Sequence, residues 1–236
     1  MKLDILDPYN IRARLSPSII LLGPIALTVF FCFENLYTTL SSTIILFILL
    51  ALTNYIPILQ RKLSKQNLLP ENYAAQLLYY DNTEIDEVTR KRYYRKLALV
   101  DSSFSLFLTP TNTQDFKNCC NSAIIYLRNN TRDNHLVLEE NINCGFCKNM
   151  LINKPVGIIL NIFLAAFSFS YSWIFSGSIV NISGKIWFSI GINFVLLLFW
   201  IIGINKRMLD EAAKRYAHTL IYAIDSLKLK DENEQS

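Results

Sequence analysis

Four long stretches contain no Asp, Glu, Lys or Arg: residues 17–33, 39–59, 155–175 and 186–205. Nothing else in the chain limits its fold so strongly. A bilayer core about 30 Å thick is crossed by about 20 helical residues, and a helix satisfies its backbone polar groups within itself. Four such stretches in one small soluble core would be exceptional. Hydrophobic residues make up 52 % of the 236 residues and charged residues 18 %, against about 25 % charged in ordinary globular domains. A disordered chain is excluded by the apolar content, and a disulfide scaffold by five thinly spread Cys. The reading is an all-α membrane protein with four transmembrane helices.

Basic residues set the orientation. Of 23 Lys and Arg, Lys185 alone falls in a turn on the far side of the four stretches. Cations concentrate on the cytoplasmic side of membrane proteins. The expected layout is therefore a cytoplasmic N-terminal segment (1–16), a transmembrane hairpin (17–59), a cytoplasmic helical domain (60–154), a second hairpin (155–205), a cytoplasmic helix (206–230) and a solvated tail (231–236). Both termini face the cytoplasm of a multi-pass inner-membrane protein. The first stretch exceeds a signal-peptide core and lacks a small-x-small cleavage site, so it is retained. Pro24 within it is expected to kink the span.

The middle domain reads as helices over residues 71–80, 85–100 and 113–127, with turns at 81–83 and 129–134. Residues 136–151 are ambiguous, because Leu136-Val137-Leu138 would suit a short strand. In the C-terminal helix, Leu209, Ala213, Tyr216, Leu220, Ala223 and Leu227 recur at alternating spacings of four and three, a heptad seam. Two readings stay open for it: packing on the chain's own middle domain, or a coiled coil joining copies into a homo-oligomer.

Catalytic signals are thin. Neither His135 nor His218 stands in a hydrolase or metalloprotease motif, and there is no P-loop. Cys144-Gly145-Phe146-Cys147 lacks a properly spaced second pair for zinc, the adjacent Cys119-Cys120 being poor ligands for one ion. No enzyme activity, metal or cofactor is expected. Asn54, Asn161, Ser168, Ser170, Tyr171, Ser172, Ser189 and Asn193 are polar without being ionisable. Such residues either glue helices together or line a narrow uncharged pore.

The most unusual soluble stretch is Arg90-Lys91-Arg92-Tyr93-Tyr94-Arg95-Lys96. Cations neutralise phosphates and tyrosine rings stack on bases. Arg90, Lys91, Arg92, Tyr93, Arg95 and Lys96, joined by Arg128 and Arg132, are thus candidate ligands of a nucleotide or short oligonucleotide. A solvated face balanced by Glu84, Asp86 and Glu87, or a face lying on anionic headgroups, would use the same residues.

This layout of two spans, cytoplasmic domain, two spans and cytoplasmic helix resembles the membrane effectors of bacterial nucleotide-signalled antiphage defence. Among these are Hailong-type channels gated by short DNA and the multi-span effectors of cyclic-oligonucleotide systems. The resemblance is one of topology over the whole chain and carries over no site residue. It implies an oligomeric pore or membrane-disrupting protein gated by a nucleotide signal. The competing expectation is a non-enzymatic membrane anchor or adaptor whose cytoplasmic domain docks another protein.

Overall fold

The computed structural model describes residues 7–32, 56, 73–177 and 183–227, and every regular element among them is helical. A π-helical turn, Asn10–Leu15, leads into α1 (Ser16–Cys32). Then come α2 (Tyr73–Leu77), α3 (Glu87–Val100), a 3-10 segment (Ser102–Leu108) and α4 (Gln114–Asn130). The long α5 (His135–Ser176) precedes α6 (Gly184–Leu198), a π-helical turn (Phe199–Gly203), α7 (Lys206–Tyr222) and a 3-10 turn (Ala223–Ser226). Three helices are long and apolar enough to cross a membrane: Asn10–Cys32, His135–Ile174 and Gly184–Gly203. Apart from Ile56, the expected second span lies outside the described residues, and so does the tail.

Helix starts follow the capping residues. Asp86 accepts from the Thr89 amide at 2.8 Å, Thr113 from the Phe116 amide at 3.3 Å, and Asn205 from the Met208 amide at 2.9 Å, as N-caps do. The ambiguous stretch 136–138 is helical. Asn134 accepts from the Leu136 amide at 3.1 Å and opens α5, which continues through Pro155. Likewise α1 runs through Pro24 without interruption.

The chain packs as two units. One comprises the described residues up to Ile56 together with Gly145–Leu209; it takes in residues 145–154 as well as the apolar stretch that follows them. Two glycines of α5 explain this. A Cβ on Gly145 would lie 2.9 Å from the Tyr9 hydroxyl, and one on Gly157 would lie 2.4 Å from the Trp200 ring. Only a missing side chain admits such close approach. Between the two glycines, Asn149 donates to the Ala13 carbonyl (2.6 Å), and Lys154 donates to the carbonyls of Ile201 (2.9 Å) and Ile204 (2.6 Å). Both π-helical regions are thereby pinned to α5, their wide turns leaving carbonyls for side chains to take. Buried Trp200 packs with Leu21, Met150 and Ile204.

Polar residues of this unit face inward. Thr28, Asn161, Ser168, Ser172, Ser189 and Asn193 are buried, whereas Ile159, Phe163, Phe188, Phe194 and Val195 are exposed. Cys32 Sγ donates to Ser168 Oγ at 3.6 Å, and Ser168 and Ser189 share a 3.4 Å hydroxyl contact. Asn193 Nδ2 donates to Thr28 Oγ1 at 3.0 Å. The network joins α1, α5 and α6. Of the polar residues read from the sequence, Ser170 is exposed and Asn54 lies outside the described residues.

The other unit comprises residues 73–144 and 210–227. Its centre is aromatic. Tyr94 stacks on Phe107 with centroids 5.2 Å apart and meets Phe116 edge-on at 5.7 Å. Its hydroxyl donates to the Leu78 carbonyl at 2.6 Å, so the buried phenol keeps a partner. Leu97, Ile124, Leu127, Leu220, Ile221 and Ile224 complete this core.

The heptad residues are largely occupied here. Leu220, Ala223 and Leu227 are buried in this unit's core and Tyr216 packs against it. Ala213 is half-buried, and Leu209 is fully buried in the other unit. The α-helix ends at Tyr222 and Ala223 begins a tighter turn, which breaks the seven-residue register before Leu227. Leu220, Ala223 and Leu227 therefore offer no open surface to a second copy.

Candidate functional site

Helix α3 displays the cationic stretch on two different faces. Tyr93, Tyr94, Leu97 and Val100 form its buried face. Tyr93 is 2 % exposed, and burial pushes its phenol above the usual range. Its ring stands in the core and presents no free face to a base, which corrects the stacking role expected for it. Helical periodicity is the reason: Tyr93 and Tyr94 precede Leu97 by four and three residues and go inward with it.

The cations divide by partner. Arg90 donates to the Asn82 carbonyl. Lys91 pairs with Glu87 at 2.6 Å one turn back, and Arg92 pairs with Asp225 at 2.8 Å. The Lys91 pair holds the Glu87 carboxyl below its usual range. Arg92 also lies 5.4 Å from the centroid of the Tyr93 ring, a cation–π contact. Lys96 donates to the Asp225 backbone carbonyl at 2.6 Å. Arg95 is exposed and has no ion-pair partner among the described residues. Arg128 is exposed in the last turn of α4, and exposed Arg132 donates to Asn129 at 3.2 Å. Among the described residues, no hydrogen bond or ion pair joins these two arginines to the α3 cations. Thus much of the charge is spent on tying α3 to the C-terminal turn at Asp225. Such exposed pairs are screened by water and contribute little stability.

A second cluster joins residues far apart in sequence. Tyr73 Oη donates to Glu84 Oε2 at 2.5 Å, and His218 Nε2 lies 3.3 Å from the same oxygen. The Tyr73 and His218 rings meet edge-on at 6.4 Å, and the Lys214 ammonium lies 5.6 Å from the Tyr73 centroid. The Tyr73 hydrogen bond, and then His218, hold the Glu84 carboxyl below its usual range. Burial, then Glu84, push the Tyr73 phenol up to about 12. These contacts clip the 73–84 segment to α7. No spacing could have revealed them, because α7 returns to the middle domain only after the intervening apolar helices.

The cysteines are buried and carry no disulfide. Burial raises the Cys119 and Cys120 thiols, which disfavours the thiolate that metals and electrophiles need. Among the described residues no group of three His, Cys, Asp or Glu side chains could hold a metal ion. No family model, curated protein or solved structure matches the chain.

Proposed function

We propose that this chain is a multi-pass inner-membrane protein that acts by binding: an anchor whose helical unit docks another protein. One observation carries the membrane part. The three bilayer-length helices bury Asn, Ser and Thr and expose Phe, Ile and Val, the reverse of helices that face water. The asymmetry of Lys and Arg supports a fourth span over residues 39–59 and cytoplasmic termini. Reporter fusions at residues 36, 100, 180 and 236 should read outside, inside, outside, inside. A periplasmic signal at residue 100 overturns this layout. The docking part is supported by a helical unit with its own aromatic core.

The second reading is a nucleotide-gated pore in antiphage defence. Exposed Arg95, flanked by Lys91 and Arg92, favours it, although base stacking on Tyr93 is no longer part of it. Phosphate contacts would make oligonucleotide binding fall steeply with salt. Binding at low salt that Arg95→Glu abolishes would support the pore; no binding at low salt would leave the anchor.

A further inference from the structure

Three side-chain oxygens inside the apolar unit combine deep burial with unmet hydrogen-bonding capacity. Asn161 Oδ1, Ser172 Oγ and Asn193 Oδ1 have no partner among the described residues, and each side chain is 1 % exposed or less. The Asn161 amide already donates to the Gly157 carbonyl at 2.8 Å, and Asn193 Nδ2 to Thr28 and to the Ser189 carbonyl, both at 3.0 Å. What remains on both asparagines is an acceptor. The Trp200 indole N–H, fully buried, is an unpartnered donor. It stands against Gly157, where a Cβ would come within 2.8 Å of Nε1. The Asn161 amide bonds the carbonyl of the same Gly157, so the open donor and the open acceptor border one residue of α5.

An occupant that accepts from one group and donates to the other satisfies both. Water does so, and a buried water needs two to four polar partners. In hydrocarbon the alternative is costly, since an unpaired polar group loses its hydration and gains nothing. We propose that the seam between α1, α5 and α6, from Trp200 and Asn161 toward Ser172, is a water-holding crevice within a single chain.

Its length limits what it does. Asn161 to Ser172 spans eleven residues of α5, about 16 Å at 1.5 Å per residue, half of a hydrocarbon core about 30 Å thick. At the Trp200 end it meets the buried apolar cluster of Trp200, Leu21, Met150 and Ile204. The crevice is therefore a blind polar pocket in the bilayer, not an open pore. Cys32, donating to Ser168, is a native reporter inside it.

The proposal rests on the membrane reading, and one experiment separates the two. The full-length protein in phospholipid vesicles is treated with silver ion or 2-aminoethyl methanethiosulfonate, and modification of the Cys32 peptide is followed by mass spectrometry. Such reagents attack the hydrated thiolate, so Cys32 should react at least about tenfold faster than an introduced Ile162→Cys on the outer face. Asn193→Leu, which puts an apolar side chain in the seam, should slow Cys32 by a similar factor. An inert Cys32 beside an inert Ile162→Cys means a dry seam and overturns the crevice. An unslowed Cys32 in Asn193→Leu overturns it too. A rapidly modified Ile162→Cys places that face in water and overturns the membrane reading instead. The native Cys32 rate is read without any substitution, and the two variants are compared with it at equal helical circular dichroism, so misfolding of a variant does not blunt the test.

Discussion

Gly157→Ala tests the packing that holds the apolar unit together. An added Cβ would sit 2.4 Å from Trp200 Cε2, 2.5 Å from Cδ2 and 2.8 Å from Nε1. Carbon atoms pack favourably at about 3.5–4.0 Å, so the ring would have to retreat by about 1 Å. These are atoms of the rigid indole, and Trp200 is walled in by Leu21, Met150 and Ile204. Overpacking of this kind costs about 1–3 kcal/mol. Replacing a helical Gly with Ala returns about 0.8–1 kcal/mol. Lipid is as apolar as the side chains, so hydrophobic transfer adds little between helices and packing decides the result. The expected net loss is up to about 2 kcal/mol, read by reversible unfolding in mixed micelles followed by helical circular dichroism. Trp200→Phe makes room for the new methyl group, so the double variant should be more stable than the sum of the single losses predicts. A coupling above about 0.5 kcal/mol would register this. A stabilised Gly157→Ala, or strictly additive variants, would show that indole and helix are not in contact and refute the reasoning.

Leu220→Lys buries an ammonium in the core of the helical unit. It should unfold that unit, at a cost above about 4 kcal/mol, while the mass in detergent measured by light scattering stays unchanged. A halved mass with intact helicity would return the seam to a contact between copies. The Tyr73 phenol titrates at about 12 against the ordinary 10.0. Its contribution to stability is therefore whole below pH 10.0 and lost as pH rises from there through about 12. Ultraviolet difference titration should find this tyrosine late, and an ordinary titration would refute the clip. Tyr73→Phe removes the main cause of the depressed Glu84 carboxyl, so carbon NMR should see Glu84 titrate at higher pH. Because its folded-state titration lies below the ordinary carboxylate range, the stability Glu84 contributes is present above that range and lost on acidification. An unmoved Glu84 would show that the Tyr73 hydrogen bond does not hold it.

The helical class and three of the bilayer-length segments were legible in the sequence, because they depend on local quantities. A charge-free run of sufficient length is apolar whatever packs beside it, and Asp86, Thr113 and Asn134 accept amide hydrogens from their own neighbours. The partners of the cations were not legible. Arg92 and Lys96 find Asp225, more than a hundred residues away, and Glu84 finds His218 across a similar gap. Tyr93 looked available for stacking because composition does not say which side of a helix meets the core. Leu97 and Val100, falling on the same side, decided that it does. The heptad spacing was equally real and equally indifferent to its partner: a stripe of Leu and Ala packs on any apolar surface, and the aromatic centre of the same unit reached it first. The inward turn of Asn161, Ser168 and Asn193 also belongs to tertiary structure alone. A polar residue in a span shows its type in the sequence, but whether it faces lipid or another helix depends on which faces three helices bring together.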